Sequence, residues 1–338
     1  MKLLTCSGYY GTGSSAITDL LGECDNVHYM GDYEFRFVHD PDGICDLEYN
    51  LVLNNNRHNS GYAIKKYEKN VKFLTGNQFI KKYNRFFGEE WEKLSKAYID
   101  KLIDVEYKGY WHQEVRDRGK IVYFFERLFN KFMHKISAKN SEKNYTIFLK
   151  NNTNYASYPG EKFYEYTRDY IDALFESVNV DHKEFVMADQ LIPPSNVLHY
   201  LKFFNDLKVI VVDRDPRDLF LLENEKYYGT IVPRDVNDFC IWYKCTREHR
   251  KHENENSTRV LRINFEDLIF NYDISVSKCL EFCEIDKIHH VNQKKRFNPS
   301  KSIQNTCLYY NYPKRREEIH VIQKELQEYL YDFGKYRL

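Results

Sequence analysis

The 338-residue chain has no excess of either charge, because 50 Lys and Arg residues balance 50 Asp and Glu residues. Histone-like proteins, and proteins that bind nucleic acid along a basic groove, need a net positive surface, so the balance argues against both. The sequence also has few glycines and prolines, 14 and 8, and has no internal repeat or low-complexity segment. A chain of this length can bury a large core without disulfides or metal ions.

Long apolar runs are also missing, since no segment approaches the roughly 20 residues that span a bilayer. The start, Met1–Gly8, does not resemble a signal peptide, because its short apolar run leads straight into a glycine-rich turn. The eight cysteines are too sparse for a disulfide scaffold, and we expect a cytoplasmic protein. Cys279 and Cys283 are spaced for one helix face but lack further metal ligands, so we interpret them as buried side chains and predict no metal site.

Aromatic residues, in contrast, are abundant at 16%, with 29 Tyr and 23 Phe. Tyrosine can pack its ring while its hydroxyl stays hydrated, which suits the binding of sugars or bases. An AT-rich genome would enrich the same residue types without any functional reason. Both explanations stay open at the level of the sequence.

Five short apolar segments, each followed by polar or glycine-rich residues, predict an α/β fold with a central, mostly parallel sheet. They are Lys2–Cys6, Val27–Met30, Phe185–Ala188, Val209–Val212 and Val260–Ile263. Aromatic and charged residues at helical spacing predict a helical insertion over the sheet edge at about 60–180, with a loop at 151–160. The amphipathic run 317–333 predicts a C-terminal docking helix, and we expect 1–338 to form a single domain.

A glycine-rich segment, Gly8–Ser15, directly follows the first predicted strand. Gly8 and Gly13 have the spacing of a phosphate-binding loop, in which backbone N–H groups and the following helix N-terminus hold an anion. Ser14 replaces the lysine that normally contacts the β- and γ-phosphates of ATP, while Ser15 keeps the hydroxyl that would hold Mg²⁺. The pattern therefore favours a site for a phosphate that is not transferred, with a plain strand-to-helix turn as the alternative.

A charged pentapeptide, Arg214-Asp215-Pro216-Arg217-Asp218, follows the fourth predicted strand. Pro216 suits the first turn of a helix and Asp215 suits its N-cap, which would place Arg214 at the carboxyl edge of the sheet to bind a phosphate. Two other interpretations stay open. Asp213 could be the Mg²⁺ ligand of an NTPase, or the pentapeptide could form only a structural Arg–Asp network.

Together these segments resemble those of the PAPS-dependent sulfotransferase family, in particular bacterial carbohydrate sulfotransferases. Gly11-Thr12-Gly13-Ser14-Ser15 is similar to the family's loop for the 5′-phosphosulfate of PAPS (3′-phosphoadenosine 5′-phosphosulfate). The pentapeptide is similar to the element that binds the 3′-phosphate, and 260–268 resembles a late strand with its E-D-L turn. The resemblance implies a P-loop-like three-layer fold, PAPS as donor, PAP as product and no required metal.

The chain departs from the family pattern at two positions. Gly11 stands where the family usually has a basic residue, and Leu222 stands where it commonly has a serine. A late basic loop often closes over the nucleotide in this family, and Lys301 is our candidate for that contribution to cofactor binding.

Sulfuryl transfer needs a base for the acceptor hydroxyl and positive charge or dipoles at the leaving phosphate. The resemblance implies a glutamate base, and Glu34, after the second predicted strand, is the candidate catalytic residue, with Asp32 and His39 as alternatives. Arg36 is the candidate for the cation missing at Gly11. Alternatively, Glu34 pairs with Arg36 or another arginine and only shapes the site.

A tyrosine-rich insertion and a glutamate base favour a carbohydrate or glycolipid acceptor, made in the cytoplasm for the cell surface. Such a protein could associate peripherally with a membrane, and we expect no nucleic-acid partner. Two other functions remain open: a P-loop kinase or NTPase, and an adenine-nucleotide-binding protein without catalytic activity.

Overall fold

The fold was examined in a computed structural model, which describes residues 1–77, 80, 82–109, 119–137, 152–228, 231–248 and 257–335. The helices and strands in chain order are β1 (Lys2–Gly8), α1 (Ser15–Leu21), β2 (Val27–Glu34), α2 (Ile44–Glu48), α3 (Ser60–Thr75), α4 (Asn84–Phe87), α5 (Glu90–Leu102), β3 (Val105–Gly109), α6 (Lys120–Ser137), β4 (Asn152–Ala156), α7 (Lys162–Val178), β5 (Phe185–Asp189), α8 (Val197–Tyr200), β6 (Leu207–Asp213), α9 (Pro216–Leu221), α10 (Val236–Arg247), β7 (Val260–Asn264), α11 (Phe265–Phe270), α12 (Tyr272–Cys283), α13 (Pro299–Ser302) and α14 (Arg316–Glu325).

The central sheet is parallel and has the strand order β2-β5-β1-β6-β7. All five predicted strands are present, and the predicted α/β fold is confirmed. Adjacent residues of a strand point to opposite faces, so Leu3 and Leu4 of β1 belong to two different hydrophobic clusters. Helices flank the sheet, and the carboxyl ends of its strands share one edge, where ligands of such folds bind.

A second, antiparallel ribbon pairs β3 with β4, and Glu106 lies opposite Tyr155. The prediction of a loop over 151–160 is therefore wrong for Asn152–Ala156, while residue 151 lies outside the described residues. Strand β4 forms because β3 supplies its hydrogen-bond partners and because the Tyr155 hydroxyl donates to Glu68 Oε1 at 2.9 Å. The sequence of β4 alone gives no such signal. The single-domain interpretation stays a prediction.

The C-terminal helix α14 ends at Glu325, earlier than the predicted run 317–333. Its apolar residues Ile319 and Ile322 are buried in a third hydrophobic cluster with residues of α9 and α10. Beyond the helix, the backbone N–H of Tyr331 donates to Asp215 Oδ2 at 2.9 Å. The chain leaves the helical path because this bond to the pentapeptide, and the contacts around it, hold the last residues in an irregular conformation.

All eight cysteines are free thiols, and Cys279 and Cys283 are buried in the core as interpreted from the sequence. Within the described ranges, no helix combines the length and the apolar character needed to cross a bilayer.

Candidate functional site

The glycine loop, Gly8–Ser15, connects β1 to α1 at the carboxyl edge of the sheet. Gly11 and Gly13 have φ values of 67° and 84°, a region that favours glycine. A Cβ atom on Gly13 would lie 2.6 Å from the Phe265 ring, and one on Gly11 would lie 2.8 Å from Glu223 Oε1. The φ of 67° disfavours a lysine or arginine at position 11, and the Glu223 side chain would have to move aside, which gives the departure at Gly11 a structural reason.

The hydroxyl groups of the loop have different environments. Thr12 is buried, and its Oγ1 accepts a hydrogen bond from the Tyr9 backbone N–H at 3.2 Å. Ser14 Oγ accepts from Gln190 Nε2 at 2.9 Å. Ser15 begins α1 and is exposed, and the N–H groups of residues 13–15 precede the first intrahelical hydrogen bonds. These N–H groups and the Ser15 hydroxyl are the loop's candidates for holding an anion.

Arg214 connects the pentapeptide to the glycine loop. Its Nη1 donates to the Gly11 carbonyl at 3.2 Å, and its Nη2 donates to the carbonyl of Asn305. The guanidinium carbon lies 4.7 Å from the centre of the Phe265 ring. The side chain is buried, burial lowers the pKa of Arg214, and its Nε has no hydrogen-bond partner in the described structure. Two segments about 200 residues apart therefore meet in one site.

Asp215 and Glu266 fix the start of helix α9. Asp215 is its N-cap and accepts from the Arg217 backbone N–H at 2.8 Å, with Pro216 as the first helical residue. The predicted N-cap and first-turn proline are thus confirmed. Glu266 Oε1 accepts from the Asp215 backbone N–H at 2.9 Å. Burial raises the pKa of Glu266 to about 8. The E-D-L turn therefore supports the pentapeptide directly.

Asp218 holds the segment that follows α13. Its two carboxylate oxygens accept from the backbone N–H groups of Cys307 and Leu308, each at 2.7 Å. The side chain is buried, and burial raises the pKa of Asp218 to about 7. The pentapeptide thus does form the structural network that the sequence left open, and the same network positions Arg214.

Asp213, the alternative Mg²⁺ ligand, is paired with a buried arginine. Arg247 Nη2 donates to Oδ1 at 2.7 Å, and Arg247 Nε donates to Oδ2 at 3.3 Å. The Arg214 backbone N–H also donates to Oδ1, at 2.9 Å. The carboxylate is therefore neutralised within the protein, which disfavours the Mg²⁺ ligand of an NTPase at this position.

Lys301 lies exposed on the short helix α13, and no contact in the described structure joins its amine to the glycine loop or to Arg214. The segment after α13 does reach the site, because Asn305 accepts from Arg214. Another lysine is bonded there: Lys226 Nζ donates to Asn305 Oδ1 at 2.8 Å. Sequence reasoning missed Lys226, since neither its spacing nor its neighbours distinguish it.

Glu34 and Arg36 lie at the end of β2, which is separated from β1 by β5. The strand of the glycine loop therefore has β5, and not β2, as its neighbour on this side. Arg36 Nη1 donates to Glu34 Oε2 at 3.1 Å, and Arg36 Nε lies 3.3 Å from Asp40. Both partners of the Glu34–Arg36 pair are about half exposed, so the pairing alternative is the one observed. Their catalytic roles stay predictions.

Asp189 and Gln190 end β5, the strand that does neighbour β1. Cys6 Sγ donates to Asp189 Oδ1 at 2.8 Å. Burial raises the pKa of Asp189 to about 7, and the charges of Glu34 and Asp32 act in the same direction. Gln190, at a φ of 55°, holds Ser14 of the loop. The sequence signal that could have found this pair is two polar residues directly after a buried strand.

A cavity of about 500 Å³ lies beside the carboxyl ends of β6 and β7. Its lining includes Arg214 and five carboxylates, those of Asp213, Asp215, Asp267, Glu328 and Asp332. Two of these carboxylates, Asp213 and Asp215, are paired with Arg247 and Arg217. The cavity therefore adjoins the anion-binding candidate Arg214, whereas no residue of the glycine loop lines it.

No protein-family model matches the chain, and no curated protein matches it. Several solved structures resemble it weakly, and three of them follow. The sulfotransferase domain of the olefin synthase from Synechococcus PCC 7002 has 10% identity and a TM-score of 0.39, covering 88% of this chain and 78% of that one. A sulfotransferase from Mycobacterium avium has 11% identity and a TM-score of 0.36, covering 100% and 77%. Retinol dehydratase, crystallised with androsterone and inactive cofactor PAP, has 13% identity and a TM-score of 0.32, covering 91% and 68%. Membership of a family does not follow from values this low.

Proposed function

We propose that the protein transfers a sulfuryl group from PAPS to a hydroxyl of a carbohydrate. The observation that carries the proposal is the bond from Arg214 to the Gly11 carbonyl, because it unites the glycine loop and the pentapeptide in one site. Each segment alone is a moderate signal for anion binding. Their convergence at the carboxyl edge of a parallel sheet matches a donor whose ribose carries one phosphate at the 3′ position and another at the 5′ position.

The residues of the site fit such a donor. Arg214 keeps a buried Nε–H without a partner, and a charged donor in that state is stabilised by an anionic acceptor. The N–H groups of residues 13–15 and the Ser15 hydroxyl would hold the 5′-phosphosulfate, and Arg214 the 3′-phosphate. PAPS, when bound, supplies the sulfuryl group. Lys226 and Lys301 are the basic side chains of the neighbouring segments.

The protein's own acids would manage the proton of the acceptor hydroxyl. Glu34, from the sequence, remains one candidate base, with Arg36 beside it. Asp189 is the acid nearer to the loop, since its neighbour Gln190 bonds to Ser14. A carboxyl whose pKa is about 7 can both accept and release a proton near neutral pH.

The acceptor part of the proposal rests on the tyrosine-rich composition and on the acidic end of β2 and β5. A neutral or weakly charged sugar fits this edge better than a polyanion, because Asp32, Glu34 and Asp189 would repel negative charge. We infer a polysaccharide or lipid-linked precursor as the acceptor, modified in the cytoplasm.

The test is isothermal titration calorimetry, which measures the affinity of the wild type and of the Arg214→Ala variant for PAP. Charge-assisted hydrogen bonds contribute roughly 1.5–3 kcal/mol, so PAP should bind about ten- to a hundredfold more weakly to the variant. Arg315→Ala is the matched control, because Arg315 pairs with Glu225 and Glu318 away from the loop and its loss should leave PAP affinity unchanged.

Transfer itself is tested by incubating the wild type with labelled PAPS and a panel of glycans. Label on a glycan supports the proposal. Tight binding of ATP–Mg²⁺ together with indifference to PAP would overturn it in favour of an NTPase. PAP binding without transfer to any glycan would instead indicate a non-catalytic nucleotide-binding protein or a different acceptor class.

A further inference from the structure

Helix α6 exposes an unusual amount of apolar surface. Six of its large apolar side chains are exposed by 46–75%, namely Ile121, Val122, Phe124, Phe125, Leu128 and Phe132. Other helices have isolated exposed apolar residues, such as Ile241 and Ile274. A contiguous apolar face of this kind on a folded protein marks a surface that another molecule covers.

The six side chains share one half of the helix circumference, because their spacing follows the helical period. Asn130 lies on the opposite half and is buried, only 6% exposed. A helix on the surface of a globular protein normally has the reverse orientation, with the apolar side inward. The apolar side of α6 therefore faces outward, while Asn130 on the opposite side is buried.

Basic residues border the apolar face. Helix α6 contains Lys120, Arg127, Lys131 and Lys135 but only one acidic residue, Glu126. The four cations are exposed; Lys120, Arg127 and Lys131 follow one long border of the apolar face at helical spacing, and Lys135 lies just inside that border. The whole chain has no net charge, so this is a local concentration of positive charge.

We propose that helix α6 lies flat in the interface of an anionic lipid bilayer. The aromatic and aliphatic side chains would enter the acyl region, and the cations along the border would reach the negative headgroups. Eighteen residues of helix span about 27 Å in the membrane plane. A second copy of α6 would supply a single carboxylate, Glu126, against four cations, whereas an anionic bilayer supplies both an apolar layer and abundant negative charge.

The test is co-sedimentation of the full chain with vesicles of phosphatidylcholine alone, or of phosphatidylcholine and phosphatidylglycerol at about three to one. The wild type should bind the anionic vesicles and dissociate as salt is added. Phe125→Ser with Phe132→Ser should weaken binding about tenfold or more, because two exposed rings lose their burial. Lys131→Gln with Lys135→Gln should weaken it about fivefold for each lysine.

The matched control is Ile241→Ser with Ile274→Ser, which removes two equally exposed apolar side chains from α10 and α12. Vesicle binding should not change in this control, and thermal unfolding should show that all variants are folded. The proposal is overturned if the wild type ignores anionic vesicles, or if the control weakens binding as much as the phenylalanine pair. It is also overturned if light scattering shows a dimer that the phenylalanine pair dissociates while vesicles do not bind. None of these outcomes depends on sulfuryl transfer.

Discussion

The carboxyl edge of the sheet contains two differently built groups of charges. At the end of β6, Arg214, Asp215 and Asp218 are buried, and each bonds to backbone groups of segments distant in sequence. At the end of β2, Glu34 and Arg36 are half exposed and bond to each other. Both groups look alike in the sequence, as short acidic and basic clusters after an apolar strand.

The difference shows that burial decides how much a charged side chain contributes. A buried carboxylate that accepts backbone N–H groups fixes the segments that donate to it, and its loss leaves those donors unpaired. In an exposed ion pair, either side chain can be hydrated by water instead, so losing the pair changes the free energy of unfolding little. Solvent and salt already screen the attraction between the two charges. Asp189 lies between the two groups, buried like the first and electrostatically coupled to the second.

The largest effect is expected for Asp218→Ala, which leaves the buried N–H groups of Cys307 and Leu308 without acceptors. We expect a loss of about 2–6 kcal/mol in the free energy of unfolding, measured by urea denaturation. Asp235→Ala is the control, because Asp235 also accepts from two N–H groups but at an exposed helix N-cap. The control should lose about 1 kcal/mol. Equal losses of unfolding free energy in the two variants would show that burial does not explain the difference between buried and exposed carboxylates.

Asp189→Asn tests the residue that lies between the two groups, and the quantity measured is the pH dependence of the free energy of unfolding. With a folded-state pKa of about 7 against an ordinary value near 3.9, the folded protein binds the extra proton between these pH values. Wild-type stability therefore falls as pH rises from about 4 to about 7, and this part of the decrease disappears in the variant. The difference in unfolding free energy between the two ends of that range should shrink by about 2–4 kcal/mol. An identical pH dependence in both proteins would show that Asp189 is ionised throughout.

Gly13→Ala tests how closely the glycine loop packs against the Phe265 ring. The added methyl group meets the Phe265 ring, and the φ of 84° is unfavourable for alanine. We expect a loss of about 2–3 kcal/mol in thermal or urea unfolding, together with weaker PAP binding. Gly31→Ala is the control, with a φ of 86° and open space around the new atom, and it should lose only about 1–2 kcal/mol. Equal effects would mean that Phe265 moves aside freely.

The smallest effect on stability is expected for Glu34→Ala, because its partner Arg36 is half exposed. The free energy of unfolding should change by about 1 kcal/mol or less. Transfer of label from PAPS separates two roles: a large decrease in kcat with unchanged PAP affinity indicates the base, whereas unchanged kcat assigns the pair to the surface. A large loss of stability would contradict the comparison itself.

Much of the fold was predictable because buried parallel strands have a simple local pattern. All five apolar segments are strands, and the N-cap at Asp215 follows from its neighbours alone. Strand β4 was missed because its pairing with β3 supplies what its own residues do not specify. The early end of α14 was missed because the bond from Tyr331 to Asp215 joins residues more than 100 positions apart.

For the site, the sequence by itself determined the glycine loop, the pentapeptide and their places after apolar strands, because glycine spacing, helix capping and strand ends are local properties. Only the tertiary structure decided that β5 lies between β1 and β2, which puts Asp189 and Gln190 beside the loop and Glu34 farther away. It also decided that Asp213 pairs with Arg247 and that Arg214 contacts Gly11. Strand order and long-range charge pairing depend on the packing of the whole chain, and no short stretch of residues encodes them.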